Sequence, residues 1–161
     1  MARKGGYTGK RSKGEKMALV IIALMLVVVC IVMMTKFNQL ETKDTVGAFA
    51  FEIGALDAEG AEVKNTACIR LKKAVNADGL EIVLAEEADI KYSVYFYSLD
   101  DDGEEVFIDV VANLEADFDA ESIPEGAELA KVVIQPTADA EVDLFEINGY
   151  ANQLTITYNK Q

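Results

Sequence analysis

The sequence predicts an all-β, antiparallel two-sheet sandwich of jelly-roll-like form, preceded by a single transmembrane α-helix. Three observations predict it. An uncharged, almost wholly apolar run extends from Met17 to Met34. Beyond it, apolar residues recur at every second position in one short run after another, the period of half-buried strands. Glycine-bearing turn sequences separate those runs.

Residues 1–16 carry Arg3, Lys4, Lys10, Arg11, Lys13 and Lys16 against Glu15 alone, with Gly5, Gly6, Gly9 and Gly14 among them. Such a composition buries no core and predicts a disordered basic tail. Residues 17–35, MALVIIALMLVVVCIVMMT, follow between Lys16 and Lys36. As a helix this segment is about 28 Å long, close to the hydrocarbon thickness of a bilayer. It lacks the polar stripe of a soluble buried helix, and the bracketing lysines can reach the two interfaces. Cleavable leaders fit poorly. The apolar core is longer than that of a signal peptide, and Thr35-Lys36-Phe37-Asn38 offers no small-residue cut. A lipoprotein signal fails because Val28-Val29 precedes Cys30, and a pilin leader fails because Leu19 stands fifth after Gly14. The expectation is an uncleaved anchor with the lipid bilayer as partner of residues 17–35. The basic cluster predicts a single-pass plasma-membrane protein with its N-terminus cytoplasmic and its C-terminal part extracellular.

The formal net charge is −13, yet only Glu15 of the 28 acidic residues precedes residue 35, whereas six of the 15 basic residues lie in 1–16. The C-terminal part is therefore strongly acidic. Its field repels phosphate backbones, so no nucleic-acid partner is expected. Cys30 and Cys68 lie on opposite sides of the expected membrane boundary and predict no disulfide scaffold. Cys68, between Ala67 and Ile69, reads as a buried and inert thiol.

Residues 36–45 are polar and aperiodic and read as a stalk; residues 46–161 read as the extracellular β-sandwich domain. Alternation marks strands around Phe49, Phe51 and Ile53; Ile69 and Leu71; Leu80, Ile82 and Leu84; Val106, Ile108 and Val110; Leu129 to Ile134; Val142 and Leu144; and Leu154, Ile156 and Tyr158. In the run Ile90–Tyr97, Ile90, Tyr92, Val94 and Phe96 share one face, and Lys91, Ser93, Tyr95 and Tyr97 share the other. Turns are expected at Asp57–Gly60, Asn76–Gly79, Asp101–Gly103, Pro124–Gly126 and Asn148-Gly149. One helical turn is expected within 115–122, and no other helical period follows residue 35.

The stretch Lys91-Tyr-Ser-Val-Tyr-Phe-Tyr-Ser-Leu-Asp-Asp-Asp-Gly103, followed by Ile123-Pro-Glu-Gly-Ala-Glu128 and Ala130-Lys-Val-Val-Ile-Gln-Pro136, resembles the galactose-binding-like or carbohydrate-module sandwiches of bacterial surface proteins. The resemblance spans roughly residues 46–159. It concerns hairpin and core positions, so it implies the fold rather than a binding site.

The chain has no histidine, which removes Ser-His-Asp, Cys-His and His-metal chemistry. No phosphate-binding glycine loop is present. The expectation is a non-catalytic protein, with a small hydrolase ranked last. No cofactor is expected. Ca²⁺ is the one candidate ion, through Asp100, Asp102, Glu104 and Asp109, because clustered carboxylates in a turn suit a hard cation. A solvated hairpin tip is the favoured reading there. Ligand-platform candidates are Tyr95 and Tyr97, with Tyr150 and Asn152 in a separate loop: aromatic faces stack on sugars and amides bond hydroxyls. The expected role is a surface-displayed acidic interaction module for a cell-wall or surface glycan or a protein partner. The alternative is a structural or accessory subunit of a membrane-associated assembly.

Overall fold

In a computed structural model, residues 13–41, 43–138 and 141–160 are described. The chain divides into two compact units, Met1–Glu41 and Thr42–Gln161. The first contains helix α1, Lys13–Glu41. Residues 1–12 of the expected tail lie outside the described residues, whereas residues 13–16 are helical rather than part of a tail. Within α1, side chains are described without interruption only over residues 21–34, and every one of them is exposed within the chain. That stretch is about 21 Å of helix. Among the described residues no helix is long and apolar enough to cross a membrane.

The second unit is built almost wholly of antiparallel sheets. Strands β1 (Lys43–Thr45), β11 (Leu154–Asn159) and β7 (Glu81–Leu84) form a three-stranded sheet in the order β1-β11-β7. Strands β2 (Phe51–Ile53), β5 (Ile69–Leu71), β10 (Leu129–Pro136), β8 (Ile90–Leu99) and β9 (Glu105–Leu114) form the larger sheet in the order β2-β5-β10-β8-β9, and β6 (Val75–Asn76) also pairs with β10. A short hairpin, β3 (Ala55–Leu56) and β4 (Glu62–Val63), stands apart.

The alternation in the sequence becomes the two faces of the larger sheet. Ile69, Leu71, Ile90, Tyr92, Val94, Phe96, Ala130, Val132 and Ile134 are buried in one core together with Ile82, Leu154 and Ile156 of the three-stranded sheet. Both sheets thus bury one face each against a shared interior, the economy that stabilises sandwiches. Arg70, Lys91, Ser93, Tyr95, Lys131, Val133 and Gln135 alternate with those core residues and belong to the other face. β8 and β10 pair over an unbroken register from Leu129↔Tyr97 to Pro136↔Ile90, which makes them the centre of the sheet.

Three sequence expectations are corrected. The stalk does not reach residue 45: α1 continues to Glu41, and Lys43–Thr45 pair with Thr157–Asn159 as an outer strand of the smaller sheet. Lys43 and Asp44 are too polar to announce a strand, but β11 supplies a partner that alternation cannot reveal. Val142 and Leu144 do not form a strand. Val142 is buried in the main core, Leu144 and Phe145 are exposed, and residues 147–151 form helix α2 (Ile147–Ala151). Asn148-Gly149 lies inside that helix instead of at a hairpin turn. The helical turn expected within 115–122 is a 3-10 turn at Ala120–Ser122, capped by the Asp119 side chain accepting from the Glu121 N–H.

Phe96 is completely buried and its ring lies 6.0 Å from that of Phe118. Replacing it with alanine leaves a cavity between the sheets, so F96A is expected to cost about 3–5 kcal/mol, measured as a lowered urea midpoint of the full chain.

Candidate functional site

The outer face of the larger sheet has two neighbouring regions, a cationic one covered by the β3–β4 hairpin and an open polar cleft. The first forms because β5 and β10 each place one cation among apolar neighbours. Arg70 and Lys131 are each about nine-tenths buried. Burying a charge is costly unless it is paired, and three carboxylates meet them. Arg70 Nη2 lies 2.6 Å from Glu52 Oε1 and donates to Glu62 Oε2 at 2.8 Å. Arg70 Nη1 lies 2.6 Å from Glu62 Oε1 but is not aligned as a hydrogen bond. Lys131 Nζ lies 2.7 Å from Glu105 Oε2, 3.9 Å from Glu62 Oε1 and 5.3 Å from the centre of the Tyr97 ring.

Glu62 belongs to β4, so these pairs hold the hairpin down. Two tyrosine hydroxyls help. Tyr97 donates to the Gly60 carbonyl at 2.7 Å and Tyr95 to the Leu56 carbonyl at 3.2 Å. The hairpin turn is closed by Asp57, whose carboxylate accepts from the Glu59 and Ala61 N–H groups. Two glycines allow the close approach. Gly54 has φ 153° and a Cβ there would come within 2.9 Å of Arg70 Nε; Gly60 has φ 75° and a Cβ there would come within 2.6 Å of the Phe107 ring.

Beside the hairpin lies a cleft of about 240 Å³. Ala55 and Leu56 of the hairpin form part of its wall, with Tyr95 and Cys68. The polar lining comes from Asn65, Lys91, Ser93, Asn113 and Gln135. Among the described residues no carboxylate lines it, although the domain is strongly acidic. Lys91 is neutralised by Glu115 at 2.6 Å.

The cleft owes its shape to a break in the β8–β9 ladder. Tyr92 pairs with Leu114 and Val94 with Val111, so Ala112 and Asn113 together oppose Ser93. This is a β-bulge. Asn113 takes φ 57°, the one positive φ of a non-glycine residue among the described residues. Asparagine tolerates that conformation better than most residues, and strain of this kind gathers at functional sites. The Asn113 N–H donates to Ser93 Oγ at 3.1 Å, which leaves the Ser93 hydroxyl proton for another acceptor.

The expected platform residues separate. Tyr95 lines the cleft and is partly accessible. Tyr97 shares its face but is 3% exposed beneath the hairpin, with its ring 5.9 Å from Phe107. Burial, and then the charge of Glu105, push the Tyr97 hydroxyl upward. Burial and then Asp57 raise that of Tyr95. Both phenols therefore act as neutral donors. Tyr150 packs against the main core, on the other side of the sheet from Tyr95, and Asn152 is exposed at the end of α2. They do not join the cleft.

The acidic turn also resolves into structure. The Asp100 carboxylate accepts from the N–H groups of Asp102 and Glu104, closing the β8–β9 hairpin. Asp109 caps its own neighbour, Val110. Asp100, Asp102 and Glu104 are exposed. Among the described residues no group of three or more acidic or cysteine side chains is arranged to hold a metal ion. Cys68 is buried, and burial raises its thiol above the ordinary range, which keeps it protonated and unreactive.

Sequence reading missed Asn65, Asn113 and Gln135. Asn113 carried a signal, a lone amide in the apolar run Val110-Val-Ala-Asn-Leu114. Asn65 and Gln135 carried none, since both are ordinary residues until the fold brings them together.

Two outcomes follow for the hairpin. Y97F removes the donor to the buried Gly60 carbonyl and is expected to cost about 1 kcal/mol in urea unfolding. The Arg70 hydrogen bond holds the Glu62 carboxyl below the usual carboxylate range, assisted by the Arg70 and Lys131 charges and opposed by burial. A lowered folded-state value gives stability that is present above the unfolded value of about 4.3 and is lost as pH falls through the folded one. E62Q is therefore expected to flatten the acid limb of the urea midpoint below about pH 4. The change should be modest, because the Glu62 side chain is 52% exposed and screened.

None of the family models, curated proteins or solved structures compared with the chain matches it. The galactose-binding-like resemblance therefore rests on the sequence motifs alone.

Proposed function

We propose that the protein is a single-pass membrane-anchored surface protein whose acidic β domain is a non-catalytic binding module for a neutral polyhydroxylated ligand, such as one sugar unit of a cell-wall or surface glycan. The observation that carries the ligand class is the cleft on the outer sheet face. It combines one accessible aromatic ring with three side-chain amides, a hydroxyl and no carboxylate. A ring offers a stacking face for sugar C–H groups, and amides both donate to and accept from hydroxyls. The Asn65, Asn113 and Gln135 carboxamide NH₂ groups are not engaged as donors among the described residues. The volume suits one ring rather than a long chain, being below the usual range for drug-sized ligands.

Anchorage is supported by the uncharged run Met17–Met34 and by the basic cluster before it, which orients the acidic domain away from the cytoplasm. A second reading, an accessory subunit that joins a protein assembly, draws on β9. This strand has ten residues, lies at the edge of its sheet and exposes Val106.

The test is a glycan array probed with the full chain in nanodiscs. The expected result is binding to a restricted set of neutral glycans, weakened at least about tenfold by Y95A or Q135A and unchanged by Y150F. Absence of any binding, or binding indifferent to Tyr95 and Gln135, would remove the cleft as the site. A pull-down that instead captures one protein through β9 would favour the accessory-subunit reading.

A further inference from the structure

A different end of the domain presents cations in an otherwise acidic molecule. Phe49 sits in a 3-10 turn (Ala48–Ala50) between β1 and β2 and is 84% exposed. The ammonium of Lys72 donates to the Phe49 carbonyl at 2.9 Å, which joins the aromatic ring and the cation in one patch. Lys73 follows in sequence. Among the described residues neither lysine forms an ion pair, as is true of Lys64 and Lys160, whereas Lys43, Arg70, Lys91 and Lys131 all do. Both lysines help line an adjoining cleft of about 390 Å³, whose other walls include Val46, Ala50, Leu71 and Val75. A neighbouring hollow shares Ala74, Val75 and Tyr158 with it and adds Lys160; Asp44 is its one acidic lining residue.

We propose that this end of the domain, through Phe49, Lys72 and Lys73, rests on an anionic lipid surface; the inference depends on the anchored reading given above. An exposed phenylalanine flanked by lysines is the composition of surfaces that bury an apolar face at the headgroup–acyl boundary of a bilayer. Lysines near an anionic surface are each attracted by the headgroups. Charge complementarity selects this occupant, since the acid excess of the domain opposes contact with such a surface except where unpaired lysines stand together.

The chain contains no tryptophan, so a single introduced indole reports its own surroundings. The full chain carrying Phe49→Trp is reconstituted in vesicles of phosphatidylcholine, with or without phosphatidylglycerol, and the fluorescence is read with brominated acyl chains as quencher. Val28→Trp, inside α1, reports anchorage separately. The expected result is quenching of both indoles, with the position-49 signal stronger when phosphatidylglycerol is present. Adding Lys72→Glu and Lys73→Glu should weaken the position-49 contact by about fivefold per lysine without changing position 28. Quenching at 28 with none at 49 would overturn this inference and leave the anchor standing. Quenching at 49 that ignores both lipid charge and the lysine changes would overturn it also, as mere tethering. No quenching at either position would overturn the anchor and this inference together.

Discussion

Two cations that the fold buries on the outer sheet face organise this domain. Arg70 and Lys131 sit in the middle of β5 and β10, where strand alternation turns them away from the core. Neither can be left unpaired at that depth. Glu52 and Glu105 come from strands of the same sheet, but Glu62 comes from the hairpin, and this contact ties a short, otherwise weak element to the sheet. An isolated two-stranded hairpin has little stability of its own. Pinned by Arg70 and by the hydroxyls of Tyr95 and Tyr97, it covers one part of the face and walls the cleft beside it.

The sheet's other dependence is on matched alternation. In β8 and β10 one set of side chains fills the interior and the next set equips the outer face, so a register slip of one residue would exchange core for site. The unbroken pairing from Leu129 to Pro136 guards against that slip. The bulge at Ala112-Asn113 is placed in β9, at the sheet edge, where local irregularity disturbs no further strand. There it bends the ladder next to Ser93 and opens space between the strand and the hairpin. The same irregularity also blunts an edge that would otherwise invite indiscriminate pairing.

Much of this was legible in the residues. Period-2 runs located β5, β7, β8, β10 and β11, because their core-facing side chains are apolar; in β9 two register shifts break the expected Val106, Ile108 and Val110 alternation, and Val111 and Leu114 meet the core instead. Positive φ at Gly60, Gly79, Gly103 and Gly126 matched the turns expected there. The elements that escaped are those whose stability is supplied from elsewhere. β1 is polar and exists because β11 lies beside it. Helix α2 has five residues, too few to show a period, and is held by Ala151 and Ile147 against the core. For the site, alternation correctly grouped Lys91, Ser93, Tyr95 and Tyr97 on one face. It could not say that a hairpin from residues 55–63 would cover Tyr97 and spare Tyr95, since that depends on a contact between Arg70 and a carboxylate eight positions away. Tyr150 and Asn152 were read as loop residues, whereas the chain there forms helix α2, with Asn152 at its end.

The ligand reading, the anchored topology and the lipid-facing end remain separable, but the cleft itself stands or falls with the pinned hairpin. Native-state hydrogen exchange on the full chain and on Arg70→Met addresses that directly. The account predicts that amides of residues 55–63 exchange on the order of tenfold faster in the variant, while those of β8 and β10 change little. Equal protection of the hairpin in both proteins, or uniform loosening of the whole sheet, would contradict it.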